Sequence, residues 1–197
     1  MHTRRLLCSI LGMWLAANII ISVSASTNLR MADTTLASPD APLAKIIKQW
    51  GYGTVRQVMR HEAGEVNRYL FAIWGWVSIF FALVVLGMLF SVKAGPAHFA
   101  AGGLALLMTL AMQFLLTPEI AGIGRMLDFV PDNAMMAERS RFASMHRVYA
   151  VSQWLVMLPS AGLLAVYIRR NRSRRLSVKP VNQINAVDDA DDAHIDG

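Results

Sequence analysis

His61 and Glu65 stand four residues apart, so on a helix an imidazole and a carboxylate share one face. With His146, at the start of a later apolar run, they would supply two imidazoles and a carboxylate, a donor set suited to a divalent metal. His61 and His146 alone would supply the two axial ligands of a haem. The HEAGE run that starts at His61 lacks the second histidine of the zinc-protease pattern HExxH. The competing reading is an interfacial network of hydrogen bonds and ion pairs, and so few, scattered donors favour it over a metal or haem. Glu119, Arg125, Asp128 and Arg141 extend the polar set. Arg125 with Asp128, and Glu138 with Arg141, have the i,i+3 spacing of local pairs. As solvated pairs they contribute under about 1 kcal/mol each; as a cluster they would make a mouth that handles anions or protons. No GxSxG elbow is present, so a serine hydrolase has no support.

The elements that position these residues are apolar runs. The chain of 197 residues is 55% hydrophobic and 16% charged, against about 25% charged in a soluble domain. Ala97 to Thr117 carries no charge over 21 residues, enough to cross a hydrocarbon core of about 30 Å. Every fourth residue of this run is small or polar: Ala97, Ala101, Ala105, Thr109, Gln113, Thr117. That ridge predicts the packing spine of a bundle, because small residues let helices approach closely in lipid. Further runs cover Leu6 to Ala25, Tyr69 to Val92 and Val148 to Ile168. The fold class expected is therefore all-α: an integral membrane four-helix bundle with an amphipathic helical cap outside the cytoplasm. The net charge of +6 arises beside the apolar runs, which suits an anionic leaflet rather than nucleic acid. Cys8 is the sole cysteine and excludes an internal disulfide.

Taken in order, residues 1–25 read as a first membrane helix, with a signal peptide ending at Val23-Ser24-Ala25 as the alternative. Asn18, in its middle, reads as an interhelical hydrogen-bond donor or acceptor. Residues 26–68 read as an extracytoplasmic loop with amphipathic helices. Asp40 is placed to cap one of them, with Pro42 in its first turn. Thr54 with Gln57 has the capping-box spacing for the next. Residues 69–178 form a three-helix transmembrane region. Its second and third spans join by the tight turn Lys93-Ala94-Gly95-Pro96, and its outer loop covers 118–147. Pro118 ends the third span, Asn133 caps the last helix and Pro159 kinks it. Gln113 and Gln153 lie one or two turns into the spans and read as interhelical glue. No carboxylate or lysine lies at a span centre, which speaks against a proton-coupled pump. Arg169, Arg170, Arg172, Arg174 and Arg175 stop transfer and bind anionic lipid. Residues 179–197 read as a disordered cytoplasmic tail. The basic density places both termini in the cytoplasm of a bacterium and the protein in its inner membrane.

At Arg141 to Gln153, RFASMHRVYAVSQ, the chain resembles the small four-span family typified by transmembrane protein 205. In that family an Arg/Phe pair leads to a His at the start of the last helix, a pattern that Phe142 and His146 match. Pro118 and Arg125 resemble the Pro and Arg that follow its third span. Arg147, Tyr149 and Gln153 stand where the family pattern has Gly, Ser and Asn, and the 26–68 segment is longer. The resemblance implies a four-span architecture and leaves the ligand open.

The functional expectation is a binding or structural module without enzymatic activity, with the lipid bilayer and a second copy or membrane protein as partners. No cofactor is required. Haem or metal binding through His61 and His146, and a small channel or transporter subunit, are the alternatives.

Overall fold

The computed structural model describes residues 2–131 and 133–177, with the side chains of 171–177 outside the description. The acidic tail expected to be disordered lies beyond these residues, as does Asp132 in the expected Pro131-Asp132-Asn133 turn. Every described element is a helix: α1 (His2–Ala37), α2 (Ala41–Trp50), α3 (Tyr52–Ser91), α4 (Pro96–Ala111), α5 (Thr117–Leu127) and α6 (Met136–Ser177), with a π-helical segment (Met112–Leu116) joining α4 to α5. Four stretches are long and apolar enough to cross a membrane: His2–Ala37, Tyr52–Ser91, Pro96–Leu127 and Met136–Arg170. The chain is a multi-pass, all-α membrane bundle. Around it, α1 packs on α3, α3 on α4, α4 on α6, and α6 back on α1.

The bundle is held by a seam rather than by bulk apolarity. On α1 the buried residues Leu7, Leu11, Trp14, Asn18, Ala25 and Ala32 keep heptad spacing, the periodicity of left-handed helix pairing. They meet Ala63, Asn67, Trp74, Ser78, Ala82, Val85 and Leu89 from α3. The opposite faces carry Met13, Ile20, Phe80, Leu107 and Leu158, all more than half exposed; such a belt has lipid as its natural solvent. Lys93, in the left-handed region at φ 51°, makes the tight α3–α4 turn expected from the sequence. Cleavage after Ala25 would remove Leu7, Leu11 and Trp14 from the centre of this core.

Several boundaries differ from expectation. The segment 26–68 is not mainly loop: α1 runs on to Ala37 and α3 starts at Tyr52, so both helices extend past the apolar runs and stay packed on one another. Asparagines bind this extension. Asn28 Nδ2 donates to Ala63 O (2.9 Å) and Asn67 Oδ1 (3.1 Å), and Asn67 Nδ2 donates to Ala25 O (3.0 Å). Asp40 caps α2 as expected, accepting from Leu43 N at 2.9 Å. Thr54 caps nothing, because Gly51, at φ 85°, both ends α2 and starts α3. Asn133 lies three residues before α6 starts at Met136.

Pro118 does not end the third span. Proline lacks an N–H and its ring clashes with the carbonyl four residues back. The π-helical turn over 112–116 widens the helix at that point, so the chain continues to Leu127. Pro159 likewise sits inside an uninterrupted α6. The small ridge on α4 is used only in part: Ala105 and Thr109 are buried, Ala101 is half-buried and Ala97 is exposed, while Gly102 packs in its place. A strict i+4 line advances about 40° per step around a 3.6-residue helix, so it leaves the interface within two steps.

Candidate functional site

At the end of the bundle away from the Lys93 turn, α3 and α5 meet through charge. On α3, His61, Glu65 and Arg68 occupy one face, and α5 ends opposite them with Arg125 in its last turn and Asp128 just beyond. Asp128 Oδ2 receives two donors, His61 Nδ1 and Arg68 Nη2, each at 2.7 Å. The carboxylate can only accept, so His61 donates from Nδ1. Phe129, in the left-handed region at φ 64°, turns its ring to 5.0 Å from His61. Arg125 embraces Glu65 with two bonds, Nε to Oε1 (2.9 Å) and Nη2 to Oε2 (3.2 Å), and Arg68 Nε adds a third at 3.0 Å.

The sequence spacing misled here. Arg125 pairs with Glu65 on α3 rather than with Asp128. Arg141 pairs with Glu119 on α5 rather than with its neighbour Glu138. Bringing α5 against α3 and α6 offers better-aligned partners than an i,i+3 neighbour can. Arg68 is the side chain that sequence reasoning undervalued. It joins both carboxylates, and its signal was available, since 61, 65 and 68 fall on one helical face.

Arg125 and then Arg68 hold the Glu65 carboxyl down to about 2, from an ordinary value near 4.5. A depressed carboxyl contributes stability above its unfolded value and loses it as pH falls through the folded one. The Glu65 pairs therefore persist at pH 4. A carbon-detected NMR titration of Glu65 is expected to show its midpoint near 2; a midpoint at the ordinary value would contradict the ion-pair geometry.

His61, Glu65 and Asp128 each place one ligand atom within 4.8 Å of the others. By donor type the set would suit a divalent cation, but its surroundings do not fit one. Arg125 and Arg68 already neutralise both carboxylates, and their guanidiniums would repel an ion at that point. His146 is not among these donors. Its Nδ1 lies 3.2 Å from Phe142 O one turn back, and its ring 4.3 Å from that of Phe142. It lines a neighbouring cavity whose described lining does not include His61.

That cavity has a volume of about 460 Å³ and lies between α1, α3, α5 and α6. Phe71, Thr117 and Tyr149 lie deepest along their helices; Leu29, Ile120, Ala121, Leu127 and Phe142 form apolar walls; Arg60, Arg68, Asp128, Arg139 and His146 supply the polar ones. The walls converge at Gly124: a Cβ there would lie 2.9 Å from Arg68 Nη1 and 3.2 Å from Phe142 Cε2, so a larger residue would displace the guanidinium. Phe71 and Tyr149 pack edge-on at 5.5 Å. Arg139 ties the 130–134 turn, donating to the carbonyls of Val130, Pro131 and Ala134 at 3.0 to 3.1 Å.

Deeper, the polar side chains join helices. Asn18, 2% exposed, accepts from Trp74 Nε1 (3.2 Å) and from Gln153 and donates to Trp14 O (2.9 Å). Trp14 Nε1 donates to Ser78 Oγ at 2.9 Å. Gln113, on the π turn, donates to Ala72 O at 3.3 Å over the bare backbone of Gly75. His98 is at the other end, 5.6 Å from the Tyr167 ring. Arg169 and Arg170 extend α6 beyond its apolar part; the side chains of Arg172, Arg174 and Arg175 fall outside the described residues.

No family model matches the chain, and neither a curated protein nor a solved structure gives a significant match.

Proposed function

We propose that the protein is a binding module of the bacterial inner membrane that holds one small ligand with an apolar body in the cavity between α1, α3, α5 and α6. The observation that carries this reading is the cavity itself. Its volume of about 460 Å³ lies in the range of small-molecule sites, about 300–1,000 Å³, and mixes apolar walls with a few polar groups as such sites do. The Glu65–Arg68–Asp128 network serves as the frame of that cavity rather than as reacting groups. Both termini are placed in the cytoplasm, with the cavity on the outer side and the arginines from Arg169 onward against anionic lipid. The resemblance to the transmembrane protein 205 family at Arg141 to Gln153 agrees with the four-span architecture.

The test is saturable binding of a single-chain amphiphile to the reconstituted full chain. Ala121 lines the cavity, and Ala121→Trp would fill much of it while keeping the wall apolar. Binding with one site per chain, abolished in Ala121→Trp at unchanged helix content, is the expected result. Binding unaffected by that substitution would remove the cavity as the site.

A further inference from the structure

Resting on that cavity reading, we infer that the ligand is an amphiphile with an anionic headgroup, seated against Arg60 at the rim with its chain directed toward Phe71 and Tyr149. The lining changes character along each helix. On α3 it runs from Arg60 through Gly64 to Phe71, and on α6 from Arg139 through Phe142 to Tyr149. Eleven and ten residues of helix separate these ends, a depth of about 15 Å. On α5 it runs from Asp128 through Ala121 to Thr117 in the same sense. On α3 and α6 charge thus stands at the rim and an aromatic ring at depth, and α5 lines the wall between with Ile120 and Ala121, the polarity profile of a headgroup on a chain.

The sign of the headgroup follows from what is already neutralised. Asp128 is the only acidic side chain among the described lining residues, and it is occupied by Arg68 and His61. Arg60 lines the rim and makes no hydrogen bond or ion pair among the described residues. Arg139 also lines the cavity, with its N–H groups held by the carbonyls of Val130, Pro131 and Ala134. A cationic headgroup would be repelled by Arg60, whereas phosphate or carboxylate oxygens fit its forked donors. The imidazole of His146 adds a polar group partway down the wall.

The probes are dodecyl phosphate, dodecyltrimethylammonium and inorganic phosphate, titrated against the full chain in nanodiscs of zwitterionic lipid, with empty discs subtracted. Dodecyl phosphate is expected to bind at one site per chain, at least about tenfold tighter than the ammonium amphiphile. Arg60→Gln is expected to weaken it about tenfold, and Arg60→Lys by less, with unchanged thermal stability because the side chain is exposed. Equal binding of the two amphiphiles, with no effect of Arg60→Gln, would overturn the anionic headgroup and leave the cavity reading intact. Saturable binding of neither amphiphile would overturn both. Inorganic phosphate binding as tightly as dodecyl phosphate would support the anion chemistry but overturn the amphiphile, making the ligand a free anion.

Discussion

Trp14→Ala is expected to destabilise the bundle by about 3 kcal/mol, the low end for truncating a buried aromatic side chain. Trp14 is 1% exposed and stands between α1 and α3, stacked at 6.4 Å on Phe81 and hydrogen-bonded to Ser78. In lipid its burial gains nothing from leaving water, since the unfolded helices already sit in hydrocarbon. What the truncation removes is contact on every side of the ring, and the void it leaves cannot collapse around a rigid helix pair. Ser78 Oγ also loses its donor. Met13, the preceding residue, is 61% exposed, so Met13→Ala should change stability by no more than about 0.5 kcal/mol. Unfolding of both variants in mixed micelles by a denaturing detergent measures the contrast. Equal effects would mean that α1 does not pack through its heptad seam, and the four-helix arrangement would be wrong.

Arg68→Ala is the second large effect, about 2 kcal/mol. Breaking a buried ion pair costs more than this, but the partners here retain help. His61 still donates to Asp128, and Arg125 still holds Glu65. The Arg68 side chain is 13% exposed, so the two carboxylates it leaves are only partly rehydrated. The local consequence is loss of the tie between α3 and the end of α5, and hydrogen exchange in residues 117–128 should quicken more than elsewhere. Arg125→Gln is the comparison. Its side chain is 61% exposed, and its removal should cost less than that of Arg68. If Arg125→Gln proved the more damaging of the two, Arg68 would not be the hub of the network.

Much of the architecture was legible in the sequence because lipid imposes a simple demand. A helix must satisfy its own backbone, so each long uncharged run becomes a span. The Asp40 cap and the Lys93 turn were legible because both depend on local chemistry alone. Three features were not. The helical course of Ser26 to Ala37 is hidden by Ser, Thr and Asn, which read as loop formers; only Ala25, Ala32 and Leu36, continuing the heptad of Leu11 and Asn18, betray it. The passage through Pro118 depends on a π turn that no residue type specifies. The pairing of Arg125 and Arg141 depends on which helices meet, and a charge in sequence has several partners within reach. Of the site, His61 and Glu65 were visible as a shared face, but Asp128 as their companion required the end of α5 to arrive beside them. The cavity lining from Arg60 to Tyr149 is assembled from four separate helices and has no linear signature.

Hydrocarbon is the solvent of the exposed apolar faces of this bundle. Spin labels placed singly at Phe80, Leu107 and Leu158, with Cys8 replaced by serine, test it in reconstituted membranes through collisions with oxygen and with a water-soluble nickel chelate. All three positions lie on the exposed belt. Frequent collisions with oxygen and almost none with the chelate are expected at each of them. Free access of the chelate to all three would contradict hydrocarbon as their solvent.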